Sequence, residues 1–276
     1  MARLFGLIGN RPDLGGRILA LESEALCVRT RGSPLGWGLG FYQGGEVLMR
    51  RRPIDDREDI DLAKLAADVR ADILIGHVRS ATVGALRTEN THPFRHRQWL
   101  FAQTGTLGVF DLIRDRLLLS VPEFLRGNVR GETDSEIVFH VFLSFLHDEG
   151  RLNDDTVAPS AIREALRSSL ALIEGMAAEV GDGLLKTNLL VSNGDVVVAV
   201  HKNEKMSYRV FSGKNDADMI LGDDLQLRRR APELAHMHFT LIASDLDEDP
   251  PQRWKPIPMD SLVTMTRVDA PKIEAL

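Results

Sequence analysis

The sequence predicts an α+β fold of antiparallel sheets covered by helices, and three observations carry that reading. Short strand-like runs separated by glycine-rich turns fill the N-terminal half, two helical periodicities occupy the middle, and strands return in the C-terminal third. Short hairpin links between strand runs favour antiparallel pairing over the long crossovers that parallel strands need. Leu4 to Ile8 is a short apolar run of the kind a buried strand requires. Gly38-Leu39-Gly40-Phe41-Tyr42 and Glu46-Val47-Leu48-Met49 flank Gln43-Gly44-Gly45 and predict a hairpin. Ile73 to Val78 and Trp99 to Ala102 read as two further central strands. Thr133 and Glu136 form a capping-box pair; Ile137, Val138, Val141, Phe142, Phe145 and Leu146 follow at helical spacing, and Gly150 lies just past the end. A second helix is predicted from near Ser160 to Gly181, with Ile162, Leu166, Leu170 and Ile173 on one stripe. Leu189-Leu190-Val191 and Val196 to Val200 bracket Ser192-Asn193-Gly194-Asp195 as a second hairpin. Phe239 to Ile242 and Leu262 to Met265 complete the strands.

Composition narrows the function classes. The chain has 276 residues, 43% of them hydrophobic, enough for one large domain or two small ones. With 34 Lys+Arg against 40 Asp+Glu, the formal net charge of −6 argues against a dedicated nucleic-acid surface. The triplets Arg50-Arg51-Arg52 and Arg228-Arg229-Arg230 sit among acidic neighbours and read as solvated faces. Cys27 is the sole cysteine, which excludes an internal disulfide and a cysteine-based zinc site; set among Ala25, Leu26 and Val28, it reads as a small buried residue of a helix. No run approaches the roughly 20 apolar residues that span a bilayer, and the start is too short in its apolar part for a signal peptide. A cytoplasmic protein with no membrane partner is expected. No glycine-rich phosphate loop appears, so no nucleotide cofactor is expected. His236 and His238 alternate on one strand face and His92 and His96 share an arginine-rich loop, but nothing nearby completes a ligand set, so no metal is expected.

Three segments place polar residues just beyond apolar strands. In Gly76-His77-Val78-Arg79-Ser80-Ala81-Thr82, the planar guanidinium of Arg79 can grip a carboxylate through two parallel hydrogen bonds, or serve in a structural ion pair. In Phe101-Ala102-Gln103-Thr104-Gly105-Thr106-Leu107, Gly105 lets a backbone N–H face a ligand, as an oxyanion hole requires, or simply makes a turn. In Gly131-Glu132-Thr133-Asp134-Ser135-Glu136, Asp134 falls in the first helical turn, where the macrodipole alone favours a carboxylate. The functional alternative has Asp134 holding an ammonium while Arg79 holds a carboxylate, together the zwitterionic head of an α-amino acid.

Taken in order, these segments resemble the glutaminase domain of class II glutamine amidotransferases, which are N-terminal nucleophile hydrolases. The signals are Arg3-Leu4-Phe5-Gly6, Gly36-Trp37-Gly38-Leu39-Gly40, the Gly76–Thr82 segment, Asn90-Thr91-His92-Pro93-Phe94, Trp99 to Ala102 running into Thr104-Gly105, and Gly131 to Glu136, followed by Asn188-Leu189-Leu190 and Ala243-Ser244-Asp245. The resemblance implies a four-layer αββα sandwich of two antiparallel sheets between helices, as one domain over residues 1–276. It also implies cleavage of a glutamine or γ-glutamyl side-chain amide by an N-terminal cysteine whose own α-amine relays the proton. Carried onto this sequence, it implies that Arg79 binds the substrate α-carboxylate with Thr82 close by, Asp134 binds the α-ammonium, and the Gly105 N–H faces the oxyanion.

Two departures from the family pattern bear on function. The nucleophile position holds Ala2, whose methyl group has no lone pair with which to attack, and the oxyanion asparagine is replaced by Thr104. Cys27 is not expected to substitute, because burial raises a thiol pKa. The expectation is therefore a catalytically degenerate protein that binds glutamine, a γ-glutamyl compound or a separate protein partner through a retained amino-acid pocket. An active amidotransferase or γ-glutamyl amide hydrolase and a non-catalytic scaffold are the alternatives.

Overall fold

The computed structural model describes residues 2–29, 35–80, 84–154, 156–181, 185–222, 234, 236–246 and 253–276. In chain order these residues form β1 (Arg3–Gly9), α1 (Gly15–Leu21), α2 (Ser23–Leu26), β2 (Cys27–Arg29), β3 (Leu35–Gln43), β4 (Glu46–Asp55), β5 (Asp59–Asp61), α3 (Leu62–Leu65) and β6 (Ile73–Arg79). After a 3-10 turn at Thr88–Asn90 come β7 (Phe94–His96), β8 (Trp99–Gly105), α4 (Phe110–Ser120), α5 (Glu123–Arg126), α6 (Asp134–Asp148) and α7 (Pro159–Ala178). The remainder is β9 (Thr187–Ser192), β10 (Val197–His201), β11 (Met206–Ser212), α8 (Gly213–Leu221), β12 (His238–Ser244), β13 (Lys255–Pro256), β14 (Ser261–Met265) and β15 (Lys272–Ala275).

The described strands build a seven-stranded sheet in the order β13-β11-β12-β1-β6-β3-β4, a six-stranded sheet in the order β15-β14-β10-β9-β8-β7, and a separate two-stranded sheet of β2 and β5. Neighbours such as β1 and β6, or β8 and β9, pair antiparallel. Side-chain alternation shows why the sheets stack and why helices cover them. In β1, Leu4 and Ile8 join Leu100, Ala102, Leu190, Val197 and Ala199 between the two sheets, while Phe5 and Leu7 point the other way onto Ile18 and Leu19 of α1. In β8, Trp99 and Phe101 pack under α4, α6 and α7 with Ile113, Phe139, Phe142 and Ile173. Strands buried on both faces read as unbroken apolar runs, and the result is the four-layer αββα sandwich the sequence predicts.

The local signals act as physical chemistry requires. Gly44 and Gly45 both take positive φ (62° and 81°) in the β3–β4 hairpin, the conformation a two-residue turn between twisted strands demands. Helix α6 starts where Thr133 Oγ1 accepts the Glu136 N–H at 3.3 Å. It ends on Gly150 at φ 70°, with Gly150 N–H to His147 carbonyl (2.8 Å) and Arg151 N–H to Leu146 carbonyl (2.7 Å), the paired bonds of a Schellman cap.

Several expectations are corrected. The Glu136 carboxylate does not return to the cap residue; it accepts from the Arg130 and Gly131 N–H groups at 3.0 and 2.6 Å, bracing the loop ahead of the helix. Helix α7 ends at Ala178 rather than Gly181. Cys27 opens strand β2 and pairs with Asp61 instead of lying in a helix, because α2 closes after one turn at Leu26; its side chain is half-buried. His96 belongs to strand β7, paired opposite Trp99, while His92 is buried in the loop ahead of it. Arg51 is not a fully solvated residue: it is half-buried and donates to the Thr91 carbonyl at 3.1 Å, whereas Arg50 does face solvent, paired with Asp68. Arg228 to Arg230 lie outside the described residues.

One buried ion pair locks the helical layer onto the seven-stranded sheet. Glu22, between α1 and α2, bonds the Arg209 guanidinium of β11 and accepts from Trp254 Nε1 at 2.8 Å. The side chains of Arg209 and Glu22 are only 7% and 3% exposed. Burial is the main influence raising the Glu22 pKa, opposed by Trp254 and Arg209. Glu22→Ala strands a buried guanidinium, so chemical denaturation should show a loss of about 3–5 kcal/mol. A loss below about 1 kcal/mol would show that the pair is solvated in solution.

Candidate functional site

The two sheets open at one end onto a cavity of about 240 Å³. Five chain segments converge on it. Ala2 immediately precedes β1, β6 ends with His77 and Arg79, the loop before β7 supplies His92, β8 ends with Thr104 and Gly105, and α6 begins with Asp134. Ile73 and Ile75 of β6 face the second sheet, and period-two alternation carries that face on to His77 and Arg79. The cavity is smaller than the roughly 300–1,000 Å³ typical of drug-sized ligands and suits a molecule of amino-acid size.

Arg79 is buried along the β6 edge of this cavity. Its guanidinium donates to the Gly84 and Ala85 carbonyls at 3.0 and 3.1 Å, which fix its direction. Burial lowers its pKa, opposed by the negative charge of Asp134. The Asp134 carboxylate is held by the Leu107 N–H (2.8 Å), the Ser135 N–H (2.8 Å) and the Ser135 hydroxyl (3.3 Å). Burial pushes its pKa up, against the pull of those donors. Among the described residues, no ion pair joins Arg79 to Asp134, so opposite charges face one cavity without cancelling in a direct contact.

Gly105 takes φ 100°, and a Cβ there would lie 2.2 Å from the Lys186 carbonyl oxygen, so only glycine fits. Thr104 is buried beside it, and its Oγ1 makes no hydrogen bond among the described residues. Thr82 lies outside the described residues.

Three further cavity residues were not assigned to this pocket from the sequence: His77, His92 and Gln103. The rings of His77 and His92 are 4.3 Å apart, and the His92 nitrogens and both amide atoms of Gln103 have no hydrogen-bond partner among the described residues. Burial, with the charge of Arg79 second, pushes His77 down to about 3; His92 is lowered even more strongly, again mainly by burial. Both rings are therefore neutral at physiological pH. The signal for His77 was present, two residues before Arg79 on one strand face. His92 needed the tertiary fold: its carbonyl oxygen lies so close to Gly38 of β3 that a Cβ there would sit 1.9 Å away. Buried polar groups without partners each cost about 1–3 kcal/mol, and a polar ligand is what would satisfy them.

Ala2 also borders a second cleft of about 660 Å³, shared with Cys27, Asp59 and Asp61. The fold thus brings Cys27 into the neighbourhood of the chain start, though not into the cavity of Arg79 and Asp134. Burial raises the Cys27 pKa, and Asp59 and Asp61 raise it further, so this thiol stays protonated and weakly nucleophilic. No group of three or more His, Cys, Asp and Glu side chains suited to a metal ion occurs among the described residues, and no described helix is long and apolar enough to cross a membrane.

The sequence matches the family described as "Glutamine amidotransferases class-II" over residues 1–272. It is 30% identical over 148 residues to "Probable glutamine amidotransferase DUG3" of Saccharomyces cerevisiae, covering 50% of this chain and 41% of that protein. It is 27% identical over 265 residues to the glutamine–fructose-6-phosphate aminotransferase of Streptococcus mutans, covering 92% of this chain and 38% of that one. The chain spans less than half the length of these curated relatives. A solved class II glutamine aminotransferase domain protein from Silicibacter pomeroyi superposes with a TM-score of 0.62 at 17% identity, covering 99% of this chain and 98% of the other. The glutamine phosphoribosylpyrophosphate amidotransferase of B. subtilis gives 0.54 at 15% identity over 99% of this chain and 49% of its own. The shared architecture is the N-terminal nucleophile hydrolase fold. With the family match running almost from end to end, this chain belongs to the class II glutamine amidotransferases.

Proposed function

We propose that this protein binds glutamine or a γ-glutamyl compound through an amino-acid pocket, and that its hydrolytic centre is degenerate. The observation that supports the reading most is the placement of Arg79, Asp134, Gly105 and Ala2 around one cavity of about 240 Å³. In this reading, Arg79 takes the α-carboxylate, Asp134 the α-ammonium, and the Gly105 N–H faces the side-chain carbonyl. Ala2 stands where the family pattern has its cysteine, and its methyl group can fill space but cannot form the thioester. The unit proposed to do this is a single domain over residues 1–276, acting in the cytoplasm.

Calorimetric titration with glutamine, glutamate and a γ-glutamyl peptide tests the reading. Saturable binding of at least one, lost on substitution of Arg79, is the expected result. No heat from any of the three at ~10 mM would overturn it, since that excludes even the weak millimolar range. Hydrolysis by a water activated at His77 is disfavoured, because a ring titrating at about 3 is a poor base at neutral pH. Accordingly, the unmodified protein should release no glutamate from glutamine above the uncatalysed rate.

A further inference from the structure

A larger cavity, of about 700 Å³, adjoins the amino-acid pocket without being part of it. The His92 and Phe94 rings, 4.6 Å apart, each border one of the two cavities. Helix α6 likewise gives Asp134 and Ser135 to the smaller and Glu136, Phe139 and His140 to the larger.

The larger cavity is cationic. Arg51, Arg95, Arg97 and Arg130 line it against two carboxylates, Glu89 and Glu136. Both Glu136 oxygens are already occupied by the Arg130 and Gly131 N–H groups. Backbone carbonyls hold two of the guanidinium groups in place: Arg51 donates to Thr91 at 3.1 Å, and Arg95 donates to Val47 and Arg97 at 2.7 and 3.0 Å. A carbonyl orients a guanidinium but leaves its full charge and its other N–H groups for a ligand. Phe94, Phe139 and Leu152 give the same cavity an apolar wall.

One buried group says more about the ligand. His140 is 4% exposed, and its Nδ1 lies 2.8 Å from the Glu136 carbonyl oxygen. A carbonyl only accepts, so Nδ1 carries the proton, and in the neutral ring Nε2 presents a lone pair. That lone pair has no partner among the described residues. Burial keeps His140 and His96 neutral, lowering both pKa values, that of His96 to about 4. The cavity therefore combines a surplus of positive charge with one buried acceptor that calls for an O–H or N–H donor.

We propose that this cavity is a second ligand site, taking a hydroxylated organic anion: the arginines bind its phosphate or carboxylate group, and one of its hydroxyls donates to His140 Nε2. The carbon skeleton rests against Phe94 and Phe139. The ligand class follows from this cavity alone and does not depend on the glutamine reading or on the identity of residue 2.

Calorimetry on the intact chain, at low salt and without glutamine, separates the possible sources. The titrants are glucose 6-phosphate, gluconate, inorganic phosphate and glucose. Glucose 6-phosphate or gluconate should bind saturably, and the tighter of the two identifies the phosphate ester or the hydroxycarboxylate as the source. Inorganic phosphate should bind roughly tenfold more weakly, and neutral glucose should give no signal at ~10 mM. The double variant Arg97→Gln/Arg130→Gln changes two exposed residues, so it leaves the core intact, and should weaken binding of the preferred anion by at least about tenfold. His140→Leu should abolish the advantage of the hydroxylated anion over inorganic phosphate; if that variant fails to fold, the same comparison in the unmodified chain decides the point. Absence of binding by either organic anion at ~10 mM, equal affinity for inorganic phosphate, or indifference to the arginine substitutions would each overturn the assignment.

Discussion

Ala2→Cys combined with Thr104→Asn should convert the protein into a glutaminase, provided the variant is prepared with residue 2 as its free N-terminus. The thiolate would attack the side-chain carbonyl carbon while the α-amine takes the thiol proton and passes it to the departing ammonia. Ala2 already borders the cavity of Arg79 and Asp134, so a sulfur added to its Cβ would lie beside the proposed ligand. Thr104 sets the second requirement. Its hydroxyl is buried at the cavity wall and makes no hydrogen bond among the described residues, but it is shorter than an asparagine amide and differently aimed. One oxyanion donor is worth on the order of 10²–10³ in kcat, or about 2.7–4 kcal/mol. Ala2→Cys alone should therefore be weakly active, and the double variant faster by about that factor. Glutamate release, together with detection of the glutamyl thioester by mass spectrometry, measures both. A double variant that still binds glutamine yet releases no glutamate would refute the proposed alignment of residues 2 and 104.

Arg79→Ala and Asp134→Asn should each weaken glutamine binding by roughly 10- to 100-fold, because each removes a charge-assisted hydrogen bond worth about 1.5–3 kcal/mol. Arg79→Lys should not restore the affinity, since an ammonium cannot reproduce the two parallel bonds of a guanidinium. Arg79 also braces the Gly84 and Ala85 carbonyls, so thermal melts must separate a loss of binding from a loss of fold. Asp134 makes the binding pH-dependent. Only the carboxylate form attracts an ammonium, and burial raises the pKa of the free protein's Asp134. Affinity should hold at neutral pH and fall on acidification, beginning above the ordinary carboxylate range, with proton release on binding in that window. The Asp134→Asn variant should lose this dependence. Calorimetry across pH in buffers of different ionisation enthalpy measures both effects; an affinity flat from neutral pH down through the carboxylate range would remove Asp134 from the site.

Much of the fold was legible because its signals are local. The unbroken apolar runs of β1 and β8, the paired glycines of the β3–β4 hairpin, and the Thr133 and Gly150 caps of α6 each depend on residues within a turn or two of one another. Legibility failed where a competing contact decided the outcome. Glu136 abandoned its capping role for the Arg130 and Gly131 N–H groups, and Arg51 left the solvated face for the Thr91 carbonyl. Cys27, in an apolar context suggestive of helix, became a strand residue through its pairing with Asp61.

By itself the sequence determined the layered α+β architecture, the charge types at positions 79 and 134, and the absence of a thiol at position 2. These follow from chemical identity and from patterns that repeat along a few residues. Only the tertiary structure decided that Ala2, Arg79, Gly105 and Asp134 share one cavity, that His77, His92 and Gln103 join them, and that an arginine-lined cavity lies alongside. The physical reason is that a cavity is formed by side chains distant in sequence. Their meeting is set by how two sheets and a helix pack, which no single segment encodes.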